Sequence, residues 1–416
     1  MPVAVPPSTP HPAPDLTAAQ RATLLRSLSA MALIAPGEQP PMTMLTGGVS
    51  SLIVRVDSGA GPLCVKQALP QLKVAAQWLA PGERNTAEVA WIRLAGGVAP
   101  GAVPRILGED RNARVFAMQW LAPDRYPVWK QQLRDGLVDP ATAQQVARTL
   151  VAIHRATALR DDVAGAFAND RSFHELRLDP YFAAAAARHP DCAEVLDLLI
   201  RRTAGARLAL MHGDVSPKNI LVGPDGPVLL DAECACYGDP AFDLAFCANH
   251  LLLKCIWRPQ WTAGYLRCHE TLVATYLDGV DWEPRQALEA RAALLLAGLL
   301  LARVDGKSPV EYLTGDADRE RVREVARAAL LAGVSSLADL RERWAATMMD
   351  GSAPMAAAAP TPAATPMLTA APTPAGAPTP ASAPTPASAP IPAGAPIPAD
   401  APSAPAPAST PGSTDR

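Results

Sequence analysis

The sequence predicts an α+β protein of two lobes, an N-terminal antiparallel sheet lobe followed by a mainly helical C-terminal lobe. Three observations carry this. Of the 44 prolines in 416 residues, 18 lie after residue 350 and six before residue 15. The excess therefore belongs to the ends, and about 335 residues remain for a large core, most simply split in two. Up to residue 121, β-branched and apolar runs alternate with turn residues. From residue 122 onward, apolar residues recur at helical spacing.

Residues 15–31 predict a helix, with Thr17 and Gln20 as a capping box and Leu24, Leu25 and Leu28 at helical spacing. The runs MTMLTGGVSSLIVRV (42–56) and GPLCVKQAL (61–69) predict strands joined by a hairpin turn at 57–61. ERNTAEVAWIRL (83–94) predicts a helix. VPRILGED (103–110) and RVFAMQWL (114–121) predict a further strand pair. Helices follow over 139–158 and 180–204. A short β pair comes next, KNILVG (218–223) and GPVLLDAE (226–233), turning at Pro224-Asp225-Gly226. Further helices are expected over 241–254, 260–278, 284–303 and 317–347. After residue 350 an Ala/Pro/Thr/Ser repeat has too little apolar surface to offset its ordering entropy. The expected organisation is a disordered N-terminus (1–15), a sheet lobe (16–121), a helical lobe (122–347) and a disordered, polyproline-biased tail (351–416).

The charge balance excludes some classes. With 37 basic and 40 acidic side chains the net charge is −3, no footprint for nucleic acid or an anionic membrane surface. The longest apolar run, 292–302, is too short to span a bilayer. The proline-rich start has no apolar stretch of the kind a signal peptide needs. Seven cysteines with no C-x-x-C pair predict a buried, reduced set and a cytoplasmic protein. Only six lysines occur against 31 arginines, so a lysine inside a motif is informative.

The strongest motif is LMHGDVSPKNILVGPDGPVLLDAE, residues 210–233. Phosphoryl transfer needs a carboxylate to orient the attacking hydroxyl and accept its proton, and oxygen ligands for Mg²⁺ on the phosphates. Asp214, then Asn219 and Asp231, fit those roles at the D-x₄-N spacing of a kinase catalytic loop. Taken singly, the same residues are ordinary turn and cap chemistry; the ordered set is what points to a site.

A second constellation lies in the sheet lobe. Lys66 sits mid-strand, after the glycine-bearing turn 46–51 and before a helix carrying Glu88. The turn's backbone N–H groups, around Gly47, Gly48 and Ser50, could meet phosphate oxygens. Lys66 would hold the α/β-phosphates, and Glu88 would orient it. Glu83, on the same helix, is the alternative partner. A snorkelling surface lysine is the plain reading of Lys66 alone.

The ordered set resembles the aminoglycoside phosphotransferase/choline kinase-like family. It comprises the glycine-bearing turn, strand lysine, helix glutamate, H-G-D-x₄-N, L-D-x-E and YGDPAFDLA (237–245), and covers roughly residues 40–310. No D-F-G or A-P-E stands where a protein kinase would carry its activation segment. The resemblance implies a two-lobed protein-kinase-like fold and an ATP- and Mg²⁺-dependent small-molecule kinase acting on a hydroxyl. Asp214 would be base, Asn219 and Asp231 metal ligands, and Lys66 the phosphate lysine. It also implies adenine against the backbone at Gln119, Trp120 and Leu121, with His212 and Asp243 structural. Lys218 lies four residues after Asp214, where a protein kinase has its lysine two after, and reads as a solvated turn residue. Glu233 could support the metal through water or pair with an arginine, and Asp239 reads as a helix cap. Lys307, Asp305, Glu311, Asp179, His154 and the pair Trp129-Lys130 are weaker candidates. The acceptor could be a sugar, amino alcohol, nucleoside-like metabolite or aminoglycoside. The rival readings are a non-catalytic nucleotide-binding scaffold, or a protein kinase whose proline-rich tail engages a partner.

Overall fold

The computed structural model describes residues 15–45, 51–69 and 84–350. The turn residues Gly47, Gly48 and Ser50, Glu83 and the proline-rich ends lie outside the described residues.

In the N-terminal part, helix α1 (Ala18–Ala30) starts on the expected box: Gln20 N–H donates to Thr17 Oγ1 and Thr17 N–H to Gln20 Oε1. Strands β1 (Met42–Met44), β2 (Ser51–Ser58) and β3 (Gly61–Ala68) come next, then helix α2 (Arg84–Val98), β4 (Ile106–Asp110) and β5 (Val115–Gln119). The order across the antiparallel sheet is β1-β2-β3-β5-β4. The run 42–56 is thus two strands, not one, with Met42 paired to Val56. The β2–β3 hairpin closes through Gly59-Ala60, with Ser58 opposite Gly61.

Strand alternation assigns the two faces. Leu52, Val54, Val56 and Val65 pack with Leu24 and Leu28 of α1 in one small core. Cys64 and Lys66, one residue out of phase with Val65, face the other way, toward α2 and the rest of the molecule.

The helical part contains α3 (Trp129–Arg134), α4 (Pro140–Thr157), α5 (Asp161–Ala166), α6 (Asp170–Phe173), a π-helical stretch (His174–Ala183), α7 (Ala184–Arg188) and α8 (Ala193–Gly205). The helix expected over 180–204 is therefore three pieces. Pro180 sits inside the wide turn, and a break at 189–192 separates α7 from α8. Short strands β6 (Ala209–Met211), β7 (Ile220–Gly223), β8 (Gly226–Leu229) and β9 (Cys236–Gly238) pair as β6-β9 and β7-β8. Then come α9 (Pro240–Trp257), α10 (Thr262–Asp278), α11 (Arg285–Asp305), α12 (Asp316–Ala332) and α13 (Leu337–Asp350). Gly333, with φ +68°, breaks the helix expected over 317–347 into the last two.

Helix α9 is the centre of the core. It is buried from Pro240 through Ile256, packed by α10, α11 and α13. Its N-cap is Asp239, which accepts from Ala241 N–H at 3.0 Å and is held by Arg291. All seven cysteines are buried and free. No helix among the described residues is long and apolar enough to cross a membrane.

Candidate active site

Asp214 sits in the loop between β6 and β7, and α9 hangs that loop in place. Asp243, fully buried in the first turn of α9, accepts from His212 N–H at 2.7 Å and Gly213 N–H at 2.9 Å. Its Oδ2 also lies 3.2 Å from His154 Nε2, whose Nδ1 meets Tyr276 Oη at 2.6 Å. His154 is therefore part of the scaffold beneath the loop.

His212 has a role the hydrogen bonds define. Asp214 N–H donates to its Nδ1 at 3.2 Å, so Nε2 carries the proton and donates to the Leu230 carbonyl at 3.0 Å. Burial pushes the ring below the ordinary histidine value, outweighing the nearby carboxylates, which keeps this neutral tautomer. The ring also lies edge-on to Trp91 of α2, 4.8 Å between centroids. One imidazole thus ties together the loop, the β7–β8 hairpin and the helix carrying Glu88.

Gly213 makes the turn possible. Its φ is +76°, and a Cβ there would lie 2.7 Å from the Cys234 carbonyl oxygen. Gly213→Ala is expected to lose at least about 1–2 kcal/mol from the left-handed conformation alone. The backbone clash adds to that loss and displaces Asp214. A lower unfolding midpoint together with lower turnover checks this; unchanged values of both would refute it.

The Asp214 carboxylate is held by cations and amides. Arg177 Nη2 lies 3.0 Å from Oδ2, Lys218 Nζ 3.2 Å and Asn219 Nδ2 2.9 Å. Burial alone would raise its pKa, but Arg177 and Lys218 outweigh burial and hold it below the ordinary carboxylate value. Arg177 is buried, donating through Nε to the Gly213 carbonyl at 2.6 Å. Sequence reasoning missed it, because nothing in LRLDPYF distinguishes it from 30 other arginines. Lys218 is half-exposed yet ion-paired with Asp214, which corrects its reading as a merely solvated turn residue.

Across the sheet, Lys66 is buried with two carboxylates. Its Nζ lies 2.6 Å from Glu88 Oε2 and also donates to Asp231 Oδ1. Lys66 stays charged, since its acidic neighbours outweigh a burial effect that would lower its pKa. Burial pushes Glu88 up to about 7 despite Lys66. At Asp231 burial also opposes ionisation, but Lys66 and Lys218 win and hold the carboxyl well below its usual value. Asp231 is the ionised partner. Its backbone sits at φ +68°, a region few non-glycine residues occupy and which Asp tolerates better than most.

Asn219 spends its amide NH₂ on Asp214, through Oδ2 and the main-chain carbonyl, and its Oδ1 has no hydrogen bond among the described residues. Asp231 Oδ2 likewise has none among the described residues. Two hard oxygen donors of this kind suit Mg²⁺. Glu233 pairs with Arg84 at 3.0 Å, so the arginine alternative holds. Gln119 closes β5, exposed, and Leu121 follows, half-buried, where the chain leaves the sheet. Asp305 is taken by His189 and Arg323, Lys307 is exposed, and Asp179 lies near His174 at 3.3 Å. Lys130 and Glu311, far apart in sequence, pair beside the loop that carries Asp214, whereas Trp129 is core.

A five-stranded sheet with an internal lysine–glutamate pair, set against a helical part whose loop and hairpin carry Asp214, Asn219 and Asp231, defines the two-lobed protein-kinase-like class. The chain belongs to the Phosphotransferase enzyme family, whose profile matches residues 42–267. Methylthioribose kinase 1 of Oryza sativa subsp. japonica is 26% identical over 263 residues, 55% of this chain and 60% of the relative. Methylthioribose kinase of Bacillus thuringiensis subsp. konkukian is 24% identical over 249 residues, 53% of this chain and 63% of the relative. The chain thus spans under two thirds of the length of these curated relatives. Among solved structures, an aminoglycoside phosphotransferase from Alicyclobacillus acidocaldarius aligns with TM-score 0.44 at 18% identity, covering 82% of this chain and 98% of that one. A choline/ethanolamine kinase family protein from Mesorhizobium loti aligns with TM-score 0.43 at 16%, covering 79% and 99%.

Proposed function

We propose that this chain transfers the γ-phosphoryl group of ATP to a hydroxyl of a small molecule. The observation that carries this is the ionised Asp214, fixed by Arg177, Lys218 and Asn219 in a loop that also supplies the oxygen donor Asn219, with Asp231 following the β7–β8 hairpin as the second. Asp214 accepts a hydrogen bond from the acceptor hydroxyl and aims its oxygen at phosphorus. As the new O–P bond forms, the bond from phosphorus to the β–γ bridging oxygen breaks and ADP departs. The hydroxyl proton passes to Asp214. A carboxylate held below its usual pKa is a weak base, which suits a loose transition state where the proton moves late.

Lys66 steadies the phosphates, kept charged and oriented by Glu88. Asn219 and Asp231 would hold Mg²⁺, which when bound neutralises charge on the phosphates. Gln119, Trp120 and Leu121, where the sheet lobe passes into the helical lobe, would offer backbone groups to adenine. The methylthioribose kinase relatives make a sugar-like acceptor reasonable.

The test is ATP consumption across sugars, amino alcohols, hydroxy acids and aminoglycosides, with Asp214→Asn as the blank. Acceptor-dependent ADP release above the blank is expected. Well-folded protein that fails to bind ATP with Mg²⁺ at millimolar levels, and in which Asp231→Ala changes nothing, overturns the proposal in favour of a non-catalytic scaffold.

A further inference from the structure

Next to the loop that carries Asp214 lies a small cavity of about 30 Å³, opening to solvent. Ser216, Pro217 and Lys218, the residues after Asp214, form one wall; Lys130, Lys254 and Arg303 bring cations from α3, α9 and α11. Of these four cations Lys218 is paired with Asp214 and Lys130 with Glu311, which leaves Lys254 and Arg303 without a carboxylate partner among the described residues.

Lys254 is the anomaly. It is 1% exposed, with no carboxylate within ion-pair distance among the described residues. Among the described residues its Nζ reaches the His250 carbonyl at 3.5 Å and the ring faces of Trp257 and Tyr312 at 5.9 and 5.5 Å. Burying an ammonium without a counter-charge is costly, and burial, with Lys130 nearby, pushes its pKa down to about 7. Several neighbours are also unsatisfied: Ser216 Oγ, His250 Nε2, Arg303 Nε and Tyr312 Oη are buried without a hydrogen-bond partner among the described residues. Unpaired buried polar groups are costly and are normally satisfied by something. A surplus of buried donors and positive charge calls for an oxyanion.

We propose that the acceptor carries an anionic group, a carboxylate or a phosphate, bound in this cavity by Lys254, Lys130 and Arg303 while its hydroxyl lies at Asp214. The inference rests on the phosphoryl-transfer reading for the hydroxyl, but the anion site stands on its own geometry. The site disfavours polycationic acceptors, because the cations without a carboxylate partner, Lys254 and Arg303, would meet them.

The test has two arms on the full chain. In the first, inorganic phosphate and acetate are titrated separately, followed by tryptophan fluorescence, since Trp257 stacks on Tyr312 at 4.4 Å. Saturable binding is expected, weakened about tenfold or more in Lys254→Met, a substitution that removes a buried charge and should not impair folding. Lys130→Ala, at a partly exposed position, serves as the second variant. In the second arm, a sugar acid, the matching sugar phosphate and the neutral parent sugar are compared as acceptors. A charged acceptor should show at least about tenfold higher kcat/KM, and which one wins identifies the anion. Lys254→Met should raise the KM of that acceptor about tenfold to a hundredfold, with kcat and the KM for ATP within about threefold. Turnover of neutral or cationic acceptors unaffected by Lys254→Met, with no anion binding, overturns the inference and leaves the kinase reading intact. Lys254-dependent anion binding with no turnover of any acceptor supports the site and removes the kinase reading.

Discussion

Asp214→Asn is expected to lower kcat for phosphoryl transfer by about 10²–10⁴ while the KM for ATP changes little. The substitution keeps the size of the side chain and removes only the charge that orients the hydroxyl and receives its proton. Arg177 loses its counter-ion but retains the Gly213 and Leu176 carbonyls as acceptors, so the fold should survive. The pH dependence can be worked out too. The folded-state pKa of Asp214 is depressed, so the carboxylate is ionised at any pH above its ordinary value of 3.8. Its stabilising contribution is complete above that value and is lost only as pH falls through the lower folded pKa. Activity should therefore show no acid limb from Asp214 between about pH 5 and 8. Steady-state ADP release against pH, with melting curves for both proteins, checks both statements. Retention of more than about a tenth of wild-type kcat would remove Asp214 from its role.

Asp243→Ala should be the most damaging substitution for stability. It leaves the His212 and Gly213 N–H groups without an acceptor in a fully buried place, and deprives His154 Nε2 of its partner. Unsatisfied buried donors cost about 1–3 kcal/mol each, so about 3–5 kcal/mol is expected, a large share of a typical total. That corresponds to a fall in Tm of about 5–10 °C. If Asp243→Ala yields no folded protein, Asp243→Asn gives the measurable version, since its single oxygen can accept from one of the two N–H groups. Loss of turnover should exceed what the unfolded fraction explains, because the loop carrying Asp214 is no longer suspended from α9. A Tm within about 2 °C of wild type would show that the loop is held by other contacts.

The residues that could be read from the sequence are those whose spacing is short. Asp214, Asn219 and Asp231 stand within 18 positions, and Lys66 and Glu88 in adjacent elements, so local pattern was enough to bring them together. Arg177 was invisible because its partner Asp214 is 37 positions away and its turn is π-helical, a local geometry that apolar spacing does not encode. The three-residue strands β6 and β9 escaped for a related reason: they are held by pairing with each other, and three residues show no alternation. Helix α9 did leave a trace. Asp243, His250 and Lys254 fall at i, i+7 and i+11 of a helix whose only other polar residue is Asn249, which places the three within about 20° of one line on its surface. That polar stripe in FDLAFCANHLLLK was the one available clue to Lys254.

The same stripe makes α9 a ruler. Its first turn fixes the loop that bears Asp214, and three turns on, about 16 Å along the axis, it fixes Lys254. A helix enclosed on every side cannot stretch, so the two ends of a bound molecule are gauged against a constant length. Acceptors would then be sorted by reach as well as by charge. One residue inserted between Asp243 and Lys254 would swing the ammonium about 100° off the stripe and leave the loop untouched. A lineage could thus change which molecule is measured without altering how the phosphoryl group is moved.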